Sequence, residues 1–437
     1  MAGEVLLALG LLSAVLTLNV YRPLGAPMLP AAVSSFLGWT LGEFALHHIS
    51  LQLALMLVFA ASGGLGEVSG KLGLLLLLSS WGALLAHYWG GRRAGEIVDL
   101  AVRGAFGDPA GEAPRAGAAG TSPSWRRILL PIPVRDAGVE RIRDIDFGGD
   151  VGAPLRLDVY RPRGGDGPFP VLLYVHGGGW TIGSKNFQGL ATCTHMASRG
   201  WLCVNADYRL SPRATFPDHI VDVKRAIHWV RQEGARLGAD PGFIVLTGGS
   251  AGGHLSALAA LTPNDAEYQP GFEEIDTSVQ GCIPFYGVFD FTGQQDHWPH
   301  RGLYETIERV VLKVGRQDDP EAFMRASPLH RVHPGAPPFL VIHGTADSLV
   351  PIEESRVFHR ALAEATGGCA ALAEIPGAQH AFELFASLRT EHLRGALERC
   401  LGELWSRHRR GAGGEVMPAG RDTLQSDDRC LERGRRD

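Results

Sequence analysis

Two glycine clusters, each directly following a short apolar run, constrain this chain more than any other feature. His176-Gly177-Gly178-Gly179-Trp180 follows Val171-Leu172-Leu173-Tyr174-Val175, and Gly248-Gly249-Ser250-Ala251-Gly252-Gly253 follows Phe243-Ile244-Val245-Leu246. Short apolar runs ended by glycine read as buried strands. The second cluster contains Gly-x-Ser-x-Gly and leads into helix-forming residues from His254 to Leu261. A serine on such a strand-to-helix turn has its hydroxyl thrust out of the sheet edge. The first cluster has the form of a loop that turns backbone N–H groups toward a developing oxyanion. Together they call for a layered α/β fold and for attack on an ester-like carbonyl.

The length of 437 residues suits one large catalytic domain with an accessory region, and the net charge of −5 gives no reason to expect a nucleic-acid partner. The six cysteines are scattered, with no Cys-x-x-Cys pair and no His/Cys spacing for zinc. No metal and no cofactor are expected, and the cysteines read as free thiols of a reducing compartment. Composition divides the chain into residues 1–90, apolar and nearly uncharged; 91–135, a linker rich in Gly, Ala, Pro and Arg; 136–405, an ordinary α/β domain; and 406–437, a polar tail read as disordered.

The first ninety residues hold three apolar stretches: Val5 to Val20, a second within Ala31 to Ala61, and Leu72 to Trp89. At 1.5 Å per residue the third spans about 27 Å and the first about 24 Å, against a bilayer core of roughly 30 Å. The second carries Glu43, His47 and His48 near its middle, which need a partner or an interfacial position. The start has Glu4 and no early Lys or Arg, which fits a signal peptide poorly. About three membrane-associated helices are expected, with Trp81, Tyr88 and Trp89 at an interface. Three spans put Arg22, Arg92, Arg93 and Arg103 on one side and Lys71 on the other, so the catalytic domain is expected on the cytoplasmic face of a plasma or inner membrane.

From residue 140 onward strand-like and helix-like segments alternate. Strands are expected at Leu155 to Tyr160, Val171 to Val175, Trp201 to Ala206, Phe243 to Thr247, Val279 to Phe285, Phe339 to His343 and Ala370 to Ile375. Helices are expected over Asp218 to Leu237, Ile352 to Ala365 and from Phe382 onward. This alternation implies a mostly parallel sheet with helices on both faces. Residues 290–330, with Trp298, Tyr304 and Phe323, interrupt it and read as a cap-like insertion.

A serine hydroxyl needs a base, and the base a carboxylate to orient it. Asp347 follows the strand Phe339 to Ile342, and His380 follows the strand Ala370 to Ile375. Both therefore fall at the sheet edge where open α/β sheets bind ligands. The expected site has Ser250 as nucleophile, His380 as base and Asp347 as acid. Gly178, Gly179 and Ala251 are the oxyanion donors, and His176, Gly177, Gly248 and Gly252 support them. His254 is read as structural.

These residues, with Asp207-Tyr208-Arg209-Leu210-Ser211-Pro212, Phe216-Pro217, Asp222 and His380-Ala381-Phe382, resemble the α/β-hydrolase-fold esterases of the hormone-sensitive-lipase-like and carboxylesterase group. The resemblance covers about residues 140 to 405. It implies a cofactor-free carboxylic ester hydrolase, with Asp207 to Pro212 as a support near the site. Gly249 stands where many members have an acidic residue. Asp347-Ser348-Leu349-Val350-Pro351 resembles feruloyl-esterase or formamidase relatives instead of the Asp-Pro-Leu-x-Asp form. An amidase, formamidase or transacylase shares the same triad and stands as the alternative, with a non-catalytic homologue as a remote one. Membrane attachment favours small-molecule or lipid esters of apolar character as substrates.

Overall fold

A computed structural model describes residues 1–107, 123–131, 135–149, 152, 154–165, 167–295, 297–299 and 301–412. Of the expected linker, 108–122 and 132–134 lie outside the described residues, as does the expected tail from 413 onward.

Eight strands form one sheet: β1 (Val139–Asp146), β2 (Arg156–Pro162), β3 (Phe169–Val175), β4 (Leu202–Ala206), β5 (Ala239–Gly249), β6 (Gly281–Phe285), β7 (Phe339–Gly344) and β8 (Ala370–Ile375). Their spatial order is β1-β2-β4-β3-β5-β6-β7-β8. The strand β2 is antiparallel to both β1 and β4; the pairs from β4 to β8 are parallel. Strands β3 to β7 are almost wholly buried, as near-continuous Val, Ile and Leu demand when helices cover both faces. Register pairs Val175 of β3 with Gly248 of β5, so the two glycine clusters leave the sheet side by side.

Helices alternate with the strands; after α6 (Trp125–Leu129) and α7 (Leu190–Ala197), those that matter most for the site are α8 (Asp218–Glu233), α9 (Ala251–Leu261) and α12 (Ile352–Thr366). Alpha-9 is buried along its whole length, which explains its run of Ala, Leu and Gly. The insertion expected at 290–330 contains α10 (Gly302–Thr306) and α11 (Pro320–Ala326), and its Ile307, Val311, Phe323 and Ala326 join the main core.

Two expected boundaries move. Residues 94–106, placed in the linker, form helix α5 (Ala94–Phe106). Its Ala94 and Val98 are buried in the same core as Leu340 and Leu397. Residues 406–412, placed in the tail, complete α13 (Leu388–Ala412), because Trp405 and His408 pack on Phe243 with ring centroids 4.9 Å apart in each pair. Helix was also expected from Phe382, but Ala381 has φ +63° and the helix begins at Leu388.

The first ninety residues form α1 (Ala2–Tyr21), α2 (Met28–Glu43), α3 (Ala45–Ala61) and α4 (Val68–Gly90). Alpha-1, and the helical stretch Val68–Phe106 that begins with α4, are each long and apolar enough to cross a membrane. The second expected stretch is not one straight helix: α2 and α3 meet at an angle of 83° at Phe44. Alpha-1 and α4 pack closely through glycines; a Cβ on Gly73 would lie 2.3 Å from the carbonyl oxygen of Leu6. Inside the bundle Gln52 Oε1 accepts hydrogen bonds from Ser13 Oγ (3.1 Å) and Trp81 Nε1 (2.6 Å). Outside, Leu12, Val15, Leu18, Leu57, Val58 and Leu75 are exposed.

The bundle docks on the sheet domain through α2 and through the end of α4, where His87 Nε2 lies 3.2 Å from Arg389 Nη2. Glu43, at the end of α2, forms a buried ion pair with Arg389 and accepts a hydrogen bond from Ser387 Oγ (2.6 Å). That supplies the partner expected for a carboxylate in an apolar segment. Cys193, Cys203, Cys282 and Cys400 are buried free thiols, whereas Cys369 is disulfide-bonded and departs from the free-thiol expectation.

Candidate active site

Ser250 sits between β5 and α9 with φ 57° and ψ −121°. A non-glycine residue held there costs about 1–3 kcal/mol, so the surroundings must hold it. Its N–H donates to Phe285 O (3.0 Å), and its carbonyl accepts from His254 N (2.9 Å). The start of α9 must press against the end of β3 for this turn to fit. A Cβ on Gly252 would lie 2.1 Å from Val175 O, so no other residue is accommodated. Ser250 caps α9, at the positive end of its dipole.

The first cluster lies directly beside this turn: a Cβ on Gly177 would be 3.3 Å from Ser250 Cβ. Gly178 has φ +120°, and a Cβ there would lie 2.1 Å from Ile182 O. Gly178 O accepts from Thr181 N (3.1 Å) and Ile182 N (3.0 Å), which leaves the loop turned back on itself. His176 is buried and stacks on Tyr208 at 4.3 Å, and burial lowers its pKa to about 4. Tyr208 Oη donates to His176 O (3.1 Å). Trp180 Nε1 donates to His254 Nδ1 (3.1 Å), so His254 Nε2 carries the proton and donates to Ala326 O (2.8 Å). Burial lowers the His254 pKa to about 3, and the neutral ring ties the loop, α9 and the 290–330 insertion together. Arg209 grips the Asp222 carboxylate through Nε and Nη2, both at 2.8 Å, anchoring the Asp207 to Pro212 segment on α8.

Asp347 and His380 come together beyond β7 and β8. His380 Nδ1 donates to Asp347 Oδ2 at 2.7 Å. Asp347 Oδ1 accepts from Leu349 N and Val350 N, each at 2.9 Å. The carboxylate is fully buried, which alone raises its pKa. The adjacent His380 and His343 outweigh burial and hold it well below the usual carboxylate range. His343 Nε2 lies 3.4 Å from Asp347 Oδ2 and 2.9 Å from Val350 O, and its Nδ1 meets Ser355 Oγ at 2.6 Å. Among the described residues Ser250 Oγ makes no hydrogen bond to His380; contacts of this kind commonly tighten only with substrate present.

Three buried groups at this site carry no motif. Tyr286 lies against His380, ring centroids 4.5 Å apart, and donates its hydroxyl proton to Glu383, whose carboxyl is raised in pKa by burial. Their position explains Gly249: a Cβ there would lie 2.7 Å from Tyr286 Oη, so this pair fills the space a side chain would take. Gln379 is the third. It precedes His380, and its Oε1 accepts from the N–H groups of Ser348 (3.0 Å) and His380 (2.9 Å). Gln379 and Glu383 are marked in the sequence only by proximity to His380, and Tyr286 by nothing.

A cavity of about 600 Å³ opens between the ends of α1 and α4 and the Asp347 loop, lined by Tyr21, His87, Arg93 and Asp347 among others. It borders Asp347 and its lining does not include Ser250. Among the described residues no three His, Cys, Asp or Glu side chains gather as a metal site requires.

This strand order, with a strained serine at the end of β5 and a His–Asp pair beyond β7 and β8, defines an α/β-hydrolase. A family model described as BD-FAE matches residues 157–362. A Mycobacterium tuberculosis protein named "Probable carboxylic ester hydrolase LipM" is 40% identical over 94% of this chain and 96% of its own. Esterase LipQ of the same organism is 42% identical over 73% of this chain and 77% of its own. The structure of Thermogutta terrifontis esterase 2 phosphonylated by sarin superposes with a TM-score of 0.51 at 29% identity, covering 66% of this chain and 99% of that one. The chain belongs to this family of α/β-hydrolase esterases and is a carboxylic ester hydrolase.

Proposed function

We propose that Ser250, His380 and Asp347 act as nucleophile, base and acid in the hydrolysis of apolar, lipid-like esters at a membrane surface. The observation that carries this reading is the 2.7 Å hydrogen bond from His380 Nδ1 to a fully buried, ionised Asp347, at the sheet edge that also bears the strained Ser250 turn. With its Nδ1–H donated to the Asp347 carboxylate, His380 has Nε2 free to take the Ser250 proton as Oγ attacks the ester carbonyl. The N–H groups of Gly178, Gly179 and Ala251 receive the oxyanion. His380 then gives the proton to the departing alcohol, leaving an acyl-enzyme. Water, deprotonated by His380, attacks the acyl carbon, and the carboxylic acid leaves as Ser250 recovers its proton.

The apolar substrate class rests on how the bundle meets the domain. Alpha-1 and α4 run side by side, their ends nearest the domain at Tyr21 and His87, and α3 returns from Glu43 to the far side. Seventeen residues of α3 span about 25 Å. In this reading α1, α3 and α4 cross the bilayer, while α2 lies along its surface under the acid and base loops. Arg22, Arg92 and Arg93 then share the catalytic side and Lys71 the other, which favours a cytoplasmic catalytic domain. A chain-length series of p-nitrophenyl esters tests the substrate class: kcat/KM rises from acetyl toward longer acyl chains, and strict acetyl preference counts against it. Protease protection in sealed vesicles tests the orientation, with the catalytic domain expected to be cleaved only from the cytoplasmic side.

A further inference from the structure

We propose that helix α2 of the apolar bundle positions the acid–base pair through Gln379, making Ser35 and Gln379 positioning residues for catalysis. This rests on the reading of Asp347 and His380 as acid and base. Gln379 is buried and joins three elements. Its Oε1 accepts from Ser348 N (3.0 Å), His380 N (2.9 Å) and Ser35 Oγ (3.0 Å), while its Nε2 donates to Ser348 Oγ (3.1 Å). Two backbone N–H donors on one atom fix which end of the amide is oxygen. Ser348 follows the acid and His380 is the base, so a single side chain sets the spacing of the loops that carry them. The third donor, Ser35, belongs to α2.

The rest of α2 holds that donor in place. Ser348 Oγ reaches Ala31 O (3.4 Å), one turn before Ser35 on the same face of the helix. One turn further on, a Cβ on Gly38 would lie 3.3 Å from Gln379 Cγ, so a side chain there would crowd Gln379. Beyond that the buried Glu43–Arg389 pair pins the end of α2 to the start of α13, just past the base loop. The bundle therefore forms one wall of the acid–base assembly as well as an anchor. A misplacement of about 1 Å in a catalytic group can cost 10²-fold in rate, and it falls on kcat when substrate binding is elsewhere.

The test uses the full chain in detergent micelles, with p-nitrophenyl butyrate as substrate and a fluorophosphonate as active-site probe. Ser35→Ala is expected to lower kcat about fivefold, the worth of one hydrogen bond, with KM within twofold. The acid limb of the kcat/KM profile should move with it, as should the labelling rate. Gln379→Ala should lower kcat by about 10²-fold. The double variant should be no slower than Gln379→Ala alone, because Ser35 acts through Gln379. Ser35→Thr should recover most of the rate, and Thr40→Ala, on the same helix, should match the parent. If Gln379→Ala fails to fold, the Ser35 series decides, since it removes one hydroxyl. Unchanged kcat and pH profile in folded Ser35→Ala, or additive losses in the double variant, overturn the proposal. Turnover by Ser250→Ala in the same preparation overturns the catalytic reading instead, whatever Ser35 does.

Discussion

Replacing Asp347 by Asn separates the role of its charge from that of its shape. The side chain is fully buried and nearly isosteric with Asn. Its Oδ1 accepts from the N–H groups of Leu349 and Val350, contacts that an amide oxygen keeps. The other position changes sign: an NH₂ group then faces His380 Nδ1 at 2.7 Å, and two donors cannot share that contact. The imidazole must move its proton to Nε2, the atom that should accept from Ser250. Loss of the correct tautomer costs such enzymes about 10⁴-fold in kcat, or about 5.4 kcal/mol of barrier, with little change in KM. The assay is p-nitrophenyl butyrate hydrolysis at pH 7.5, with thermal melting to confirm folding. A kcat within tenfold of the parent refutes the tautomer reasoning. The same variant changes acid stability. The folded pKa of Asp347 lies below its unfolded value, so the ionised group stabilises the protein fully above about pH 4. That contribution is lost as pH falls through the folded value, and Asp347→Asn should lack this component of the acid-side loss.

Gly178→Ala should cut kcat/KM by about 10²–10³-fold, since the new Cβ meets Ile182 O and turns the proposed oxyanion donors away; steady-state kinetics checks it. Arg389→Ala leaves the Glu43 carboxylate buried without its partner and should cost about 3–5 kcal/mol, read as a lowered melting temperature in detergent. Glu43→Gln combined with Arg389→Met should recover much of that loss, because no uncompensated charge is left behind. His297, on the 290–330 insertion, donates to Glu354 at 2.8 Å; burial lowers its pKa, but the Glu354 carboxylate outweighs this and raises it. Its stabilising contribution is therefore fully present below its unfolded pKa of about 6.5 and lost as pH rises through the folded value. Hydrogen exchange in residues 297–312, corrected for intrinsic rates, should quicken on going from pH 6 to pH 9, and a His297→Gln variant should not show that change.

Much of the sheet and the candidate site was legible because both rest on local patterns. Strands such as Phe339 to His343 and Ala370 to Ile375 are apolar runs bounded by glycine or proline, and Ser250, Asp347 and His380 each follow one of them. Helix α5 was not legible, although Ala94, Val98, Val102 and Ala105 keep helical spacing. The surrounding Gly and Arg content obscured this and made the segment read as a linker. The apolar stretch from Ala31 to Ala61 was long enough for a span, but Glu43 has a partner in Arg389, and the chain bends beside it so that α2 follows the domain surface. Gln379 and Ser35 were not legible. Their contact joins positions 344 residues apart and depends on how the bundle docks, which no spacing rule encodes. The Tyr286–Glu383 pair is likewise a product of packing, and it gives a reason for Gly249 that the motif alone does not.

In the proposed reaction Ser250 carries the acyl group. Incubating the full chain with a fluorophosphonate and mapping the adduct by peptide mass spectrometry tests it directly. One adduct is expected, on Ser250, formed at the rate at which hydrolytic activity disappears, with neither labelling nor turnover in Ser250→Ala. An adduct on another residue that tracks inactivation, or turnover retained by Ser250→Ala, contradicts it.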